Sequence, residues 1–456
     1  MFAYPEIWIL TVLALFTRLW WLGTPPAIVF DEVYFRQFAS DYLSGNFFFD
    51  IHPPFVKLLF AGVGGLFHWS STQVMHGDQA TLALRVLPAL AGAALVPLIY
   101  VIIRQLGLGR RMAVFGALLV LFDNALMVES RFVLMDSILL LTGFGAFSCY
   151  LKLRSSGGVK RWLWVLATAV LMGLLVSTKW TGLAMAGLIG AAWAADGLLR
   201  RTDWRRMTGE FVLIVSVVAA IYTGLFAISF ALLNRSGDGD AFMSERFQAI
   251  LIGNVHYSST AQMSFWDKFI ELNREMYAAQ SSLNNATHPY ASRWYSWPLE
   301  IRPVYYWEGE MMSNGQQGNI YLLGNPAVWW LSAVGVVSAL FVWLAGPRWL
   351  AGRRRLVAFL LVGYALNFVP FSLIKRPMFL YHYLFALLFS LLVTCVMLER
   401  LFAWQRQKYG IATVRQSYWA LVTVVILGFL YFAPLSYGWP MSVGDLHRHM
   451  WLPTWR

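Results

Sequence analysis

TLALRVLPALAGAALVPLIYVII, running from Thr81 to Ile103, is 23 residues long and carries one charge, Arg85. About 20 apolar residues suffice to cross a bilayer as a helix, and a helix satisfies its own backbone polar groups inside lipid. The stretch predicts a membrane span, and ten more like it can be drawn. The expected spans are 5–22, 81–103, 112–128, 132–151, 162–178, 181–199, 209–232, 326–346, 356–373, 381–402 and 417–434. Eleven spans predict an all-α polytopic membrane protein, with residues 1–456 forming one integral membrane domain.

Composition points the same way. Of 456 residues, 59% are hydrophobic and 13% charged, which excludes an ordinary soluble globular protein. An aromatic content of 16%, with 22 Trp, suits a chain that meets the membrane surface many times. The net charge of +12 is spread over short loops between spans rather than gathered on one face, so no nucleic-acid partner is expected. Cys149 and Cys395 each fall inside an apolar span and read as small buried hydrophobes. The start of the chain lacks a basic n-region before residue 7 and a small-residue cleavage site after Leu22, so 5–22 reads as a retained anchor.

Basic loops orient the spans. Arg104, Arg110 and Arg111 follow the second span, and Lys152, Arg154, Lys160 and Arg161 follow the fourth. Arg200, Arg201, Arg205 and Arg206 follow the sixth, and Arg348, Arg353, Arg354 and Arg355 follow the eighth. Arg400, Arg406, Lys408 and Arg415 follow the tenth. These five alternate loops hold 19 of the 35 Lys and Arg, which the positive-inside rule places in the cytoplasm. The N-terminus is then inside and the C-terminus outside. Two long segments, 23–80 and 233–325, face outward. The first should hold a short helix over 32–44, ended by Ser44-Gly45-Asn46, and Pro53-Pro54 keeps any later helix from starting before Phe55. In the second, Ser264 to Tyr277 reads as an interfacial amphipathic helix.

The first outward segment carries the chemistry. Phe30-Asp31-Glu32-Val33-Tyr34-Phe35 and Phe48-Phe49-Asp50-Ile51-His52-Pro53-Pro54-Phe55-Val56-Lys57 place three carboxylates, a histidine and a lysine within 27 residues, amid aromatic side chains. A solvated loop has no need of those rings, whereas a site pressed against a membrane does. Adjacent residues on a helix point apart, so Asp31 and Glu32 cannot address one atom. One would act as base and the other would position a substrate or cation; alternatively Asp31 simply caps the helix. Arg131 and Lys179 are single cations in outward turns otherwise almost free of charge, suited to an anion or an acidic partner. Glu129 is the alternative partner of Arg131. Asp136 is read as a structural ion pair with Arg85. Lys375-Arg376-Pro377, followed by Tyr381-His382-Tyr383, puts cations on the outward side, against the charge rule, as contact with a lipid phosphate would require. His447 and His449 form a His-x-His better read as solvated tail than as a metal site. Asn234-Arg235-Ser236 and Asn285-Ala286-Thr287 match the glycosylation sequon, a pattern common by chance.

These motifs resemble the protein O-mannosyltransferases. Phe30 to Phe35 with Phe38-Ala39-Ser40, and Phe48 to Leu59, look like that family's first external loop. Phe122-Asp123-Asn124-Ala125, Ser130-Arg131-Phe132, Leu134-Met135-Asp136, Ser177-Thr178-Lys179-Trp180-Thr181-Gly182, Arg302-Pro303 with Tyr305-Tyr306-Trp307, and Tyr381-His382-Tyr383 look like its other motifs. Two departures stand out: Tyr34 occupies a position where many eukaryotic members have His, and 233–325 is too short to hold their soluble sugar-binding-like module. The resemblance is to a compact bacterial-type member, with one catalytic domain of about eleven spans.

The resemblance implies transfer of mannose from a polyprenyl-phosphate carrier to Ser or Thr of a secreted or membrane polypeptide, outside the cytoplasmic (inner) membrane. It implies Asp31 as base and Glu32 as the residue orienting the acceptor. Arg131, Lys179 and Arg376 would bind the donor phosphate, with Asp50, His52, Lys57, Asp136 and His382 in support. No metal ligand set and no cofactor is implied, and a divalent-metal requirement stays open. The partners implied are the lipid-linked donor, the polypeptide acceptor and membrane lipids; a secretion translocon nearby, or pairing of two copies, is left open. One-step attack would invert the anomeric centre. The rival within the class is transfer of a lipid-linked sugar to a lipid or glycan. A transporter would instead show repeated halves and ionisable groups near mid-membrane, and a scaffold would not explain the Phe-rich acidic loop.

Overall fold

The computed structural model describes residues 5–67, 78–282, 287–350 and 352–455, and its architecture is mainly helical. In chain order the helices are α1 (Pro5–Leu19), α2 (Glu32–Ser44), α3 (Phe55–Leu66), α4 (Asp78–Gln105), α5 (Arg110–Leu121) and α6 (Asn124–Arg131). Then come α7 (Asp136–Arg154), α8 (Gly158–Val176), α9 (Leu183–Leu199), α10 (Trp204–Leu232), α11 (Glu245–Gln248) and α12 (Phe265–Ser282). The last five are α13 (Pro326–Ala345), α14 (Arg354–Leu366), α15 (Leu384–Tyr409), α16 (Ile411–Tyr437) and α17 (Val443–His449). Four short strands, β1 (Val304–Glu308), β2 (Gln316–Gln317), β3 (Asn319–Leu322) and β4 (Met441–Ser442), form two antiparallel pairs, β1 with β3 and β2 with β4.

Among the described residues nine helical segments are long and apolar enough to cross a membrane, ten if one bent pair counts as a span. That pair is α5 and α6, bent by 58°, where the sequence suggested a single span over 112–128. In the first expected span, 5–22, the helix α1 is 15 residues long and ends at Leu19, with 20–22 in a turn. The protein is a polytopic all-α membrane protein. Helix α10 makes the physical case: 29 residues long, it buries only Glu210, Phe226, Ser229 and Phe230, while Phe211, Val212, Val215 and Ile228 stand exposed. Water would not tolerate such an apolar surface; lipid covers it.

The chain divides into two compact units. The first comprises residues 1–25, 89–132 and 287–456, and the second 26–88 and 133–286. In the first, α15 is buried along most of its length and packs against α5, α13, α14 and α16. In the second, α8 packs against both α7 and α10, and α2 against α3. Helix α2 occupies the stretch read as a short helix. Gly45 ends it at φ 80°, a left-handed value that only glycine adopts without strain. Helix α3 starts at Phe55, directly after the two prolines. Helix α12 starts at Phe265 and runs to Ser282, five residues beyond the expected end at Tyr277.

Candidate active site

The second unit's site is built on the turn ahead of α2. Phe30 sits at φ 51°, a left-handed conformation strained for a side-chain-bearing residue, so neighbouring bonds must hold it. Glu32 supplies them. Its carboxylate accepts the N–H of Val29 at 2.9 Å and that of Val133 at 2.8 Å. Arg85 clamps it in a two-pronged pair, Nε to Oε1 and Nη2 to Oε2, each at 2.7 Å, and Nη2 also donates to the carbonyl of Ala27. Glu32 and Arg85 are both fully buried. One ion pair thus fastens the 27–29 turn, α2, α4 and the segment leading to Asp136.

Asp31 stands just outside this node, at the N-cap position of α2, and its side chain makes no capping bond. Among the described residues nothing donates a hydrogen bond or an ion pair to its carboxylate. Burial pushes its pKa up to about 6; Lys179 pulls against this, while Asp136 and Asp50 add to it. The other acids of the cluster are matched. Lys179 Nζ lies 2.6 Å from Asp136 Oδ2, and Lys57 Nζ lies 2.6 Å from Asp50 Oδ2. Lys57 also donates to the carbonyl of His52 and lies over the rings of Phe38 and Phe48. Burial alone would raise the Asp50 carboxyl, but Lys57 and His52 hold it below the usual carboxylate range. Asp31 is the member of this group left without a cation in contact.

Local structure explains these pairings and corrects one expectation. Arg85 pairs with Glu32, not with Asp136. The short 155–157 connection makes α7 and α8 antiparallel neighbours, so Asp136, opening α7, meets Lys179, just past the end of α8. Phe55 N–H donates to the Ser177 carbonyl at 3.0 Å, tying the start of α3 to the same turn. Glu129 accepts from the Tyr306 hydroxyl at 2.6 Å.

The structure thus brings Asp31, Glu32, Asp50, His52, Lys57, Asp136 and Lys179 together in one unit. Arg131, Arg376 and His382 belong to the other. There Arg131 is fully buried; its guanidinium donates to the carbonyls of Arg18, Trp20 and Trp21 and stacks over the Tyr437 ring. Arg376 is half-buried and makes no hydrogen bond or ion pair among the described residues. His382 stacks between Tyr381 and Trp297, its Nδ1 against the Phe379 backbone. His449 contacts the carbonyls of Asp445 and Tyr431. No group of three or more His, Cys, Asp or Glu converges as a metal site among the described residues. The sequon at Asn285 lies outside the described residues, since 283–286 are not among them.

Sequence reasoning missed two buried centres in the first unit. Arg18, fully buried, donates to the Val120 and Leu121 carbonyls at the α5–α6 break; a lone cation at the end of an apolar span was the available signal. Asp123, at the same break, accepts the N–H groups of Leu126 and Asn325 and the Trp329 indole. Near it, buried Glu300 sits at φ 53°, and burial, reinforced by Asp123, pushes its carboxyl well above the ordinary range.

Comparisons with known proteins agree with this architecture. The family described as dolichyl-phosphate-mannose-protein mannosyltransferase matches residues 8–236, and the C-terminal four-span region of protein-O-mannosyltransferase matches residues 265–455. Dolichyl-phosphate-mannose–protein mannosyltransferase 4 of Candida albicans is 33% identical over 342 residues, covering 70% of this chain and 43% of the relative. Protein O-mannosyl-transferase 1 of Mus musculus is 33% identical over 343 residues, covering 71% and 45%. The chain spans less than half the length of these relatives. Among solved structures, the S. cerevisiae protein O-mannosyltransferase Pmt1-Pmt2 complex bound to the sugar donor superposes with a TM-score of 0.89 at 19% identity, over 100% of this chain and 93% of that one. The Archaeoglobus fulgidus oligosaccharyltransferase superposes at 0.56 with 14% identity, over 95% and 56%. At such identities the likeness is one of fold. With both family regions matched along nearly its whole length, the chain belongs to the protein O-mannosyltransferase family.

Proposed function

We propose that this chain transfers mannose from a polyprenyl- or dolichyl-phosphate carrier to Ser and Thr hydroxyls of secreted or membrane polypeptides, at the outer face of the cytoplasmic membrane. The observation that carries the reading is Asp31: a carboxylate held without a partner, its pKa lifted to about 6, while Glu32, Asp50 and Asp136 beside it are each bound to a cation. A base must be ionised at working pH yet basic enough to take a proton, and a value near 6 meets both needs.

In the proposed step the acceptor hydroxyl attacks the anomeric carbon as Asp31 takes its proton. The bond from that carbon to the phosphate oxygen breaks, the carrier phosphate leaves with the electron pair, and configuration inverts. Lys179 is assigned to the departing phosphate, its charge half-committed to Asp136. Arg376, with no partner of its own, is the second candidate. Arg131, whose guanidinium is taken up by three carbonyls, is assigned to holding the 18–21 turn, and Glu32 to holding Asp31 in place.

The test is transfer of radiolabelled mannose from polyprenyl-phosphate mannose to a Ser/Thr-rich peptide, by protein in nanodiscs. Wild type should label the peptide, and Asp31→Asn should lose the activity by a factor of roughly 10²–10⁴. Label passing to lipid or glycan but to no peptide would overturn the acceptor assignment, and full activity in Asp31→Asn would overturn the base.

A further inference from the structure

A groove of about 350 Å³ opens beside the Asp31 turn, within the second unit. One wall is the outer face of α2, where Val33, Gln37 and Asp41 follow each other at four-residue spacing. The opposite wall is the 238–242 loop, with Asp238, Gly239 and Phe242; Phe242 stacks on Phe49 at 4.3 Å. Ile28, Val33, Tyr34 and Phe242 leave exposed apolar surface along it. Asp41 is nine-tenths buried yet lines the groove; Gln37 donates to its Oδ1, and no group of the described chain bonds Oδ2. Asp238 is exposed and makes no ion pair among the described residues. Arg36, the cation lining the same groove, is buried on the side of Glu32.

We propose that this groove holds a stretch of the acceptor polypeptide and that Asp41 and Asp238 select a Lys or Arg in it. This rests on the mannosyltransferase reading above. The charge decides the occupant. Two carboxylates at the far end repel a lipid phosphate, whereas a peptide ammonium or guanidinium completes them. The aromatic and aliphatic walls suit the stem of a long basic side chain and the backbone of an extended strand. Distance sets the register. From Asp31 to Asp41 the chain climbs ten residues of helix, about 15 Å at 1.5 Å per residue. An extended peptide covers that length in four to five residues at about 3.3 Å each. The preferred basic residue therefore lies four or five positions from the hydroxyl that accepts the sugar.

The experiment compares peptides that differ only by Lys or Gln at each position from two to seven residues on either side of a single Thr, with full-length protein in nanodiscs and polyprenyl-phosphate mannose as donor. Wild type should prefer Lys at four or five residues on one side by roughly five- to tenfold in kcat/KM, carried by KM rather than kcat. Asp238→Asn should shrink that preference, read as the ratio of the rates on the Lys and Gln peptides. Asp238→Lys, at an exposed site that leaves packing alone, should reverse it in favour of a Glu peptide. Equal rates on Lys and Gln peptides, or a preference that survives both Asp238→Lys and Asp41→Asn, would overturn the inference while leaving the mannosyltransferase reading intact. Transfer to none of the peptides would overturn that reading, and this inference with it.

Discussion

Replacing Asp31 with Asn removes a charge that the fold holds in a dry, uncompensated position. Because its pKa rises from 3.8 to about 6 on folding, the folded state binds the proton more tightly than the unfolded chain does. The penalty is absent below about pH 4, grows as pH climbs through this window and is complete above about 6, where it is on the order of 3 kcal/mol. Thermal unfolding in detergent should therefore find Asp31→Asn more stable than wild type at pH 7.5 and equal to it at pH 4. Activity should run the other way, with kcat/KM falling below about pH 6 as the base takes up its proton. The neighbours tune that limb. Lys179→Gln removes the charge that pulls the value down and should move the limb upward by about half a unit or more. Asp136→Asn removes a charge that pushes it up and should move the limb downward. A pH–rate profile of wild type and these two variants checks both signs.

Among the secondary-structure elements, the Glu32–Arg85 pair joins α2 to α4 and to the segment opening α7. Glu32→Gln leaves a buried guanidinium without its counter-charge, and Arg85→Met leaves a buried carboxylate; each should destabilise by about 3–5 kcal/mol. Glu32→Gln combined with Arg85→Met removes both charges and should recover most of that stability, along with part of the activity lost by either single change. A double variant that regained its stability but stayed as inactive as Asp31→Asn would instead place Glu32 against the substrate. Gly239 gives a second test. A Cβ there would be driven into the backbone of Phe48 and Phe49, so Gly239→Ala must push the 238–242 loop off the neighbouring 48–49 segment. Backbone cannot yield as a flexible side chain does, so peptide KM is expected to rise several-fold while donor binding holds, as measured by peptide and donor titrations.

For the molecule as a whole, the loop charges predict an orientation in the membrane, and a labelling experiment reads it directly. In a background with Cys149 and Cys395 replaced by Ala, an impermeant thiol reagent added to intact cells should label a cysteine placed at Gln262 and leave one at Ser156 unlabelled. The reverse pattern would invert the proposed topology, and with it the outer-face assignment of Asp31. Helix α10 bears on the same point, since its long exposed apolar flank requires lipid contact whichever way the chain is oriented.

The membrane class, the short helix over 32–44 and the cluster of acids around Asp31 were legible in the sequence, because each is written in neighbouring residues: an apolar run of bilayer length, a Gly after a periodic stretch, carboxylates amid rings. The partners of those acids were not. Arg85 faces Glu32 from 53 residues away, and Lys179 faces Asp136 from 43 residues away. Both matches depend on which helix ends lie side by side, and charge type alone cannot choose among several cations. The break between α5 and α6, which Arg18 and Asp123 stabilise, was hidden for the same reason: its free backbone groups are satisfied by side chains remote in the chain. Local periodicity determined the elements; the demand that every buried charge and backbone group find a partner, met only in the packed fold, decided the site.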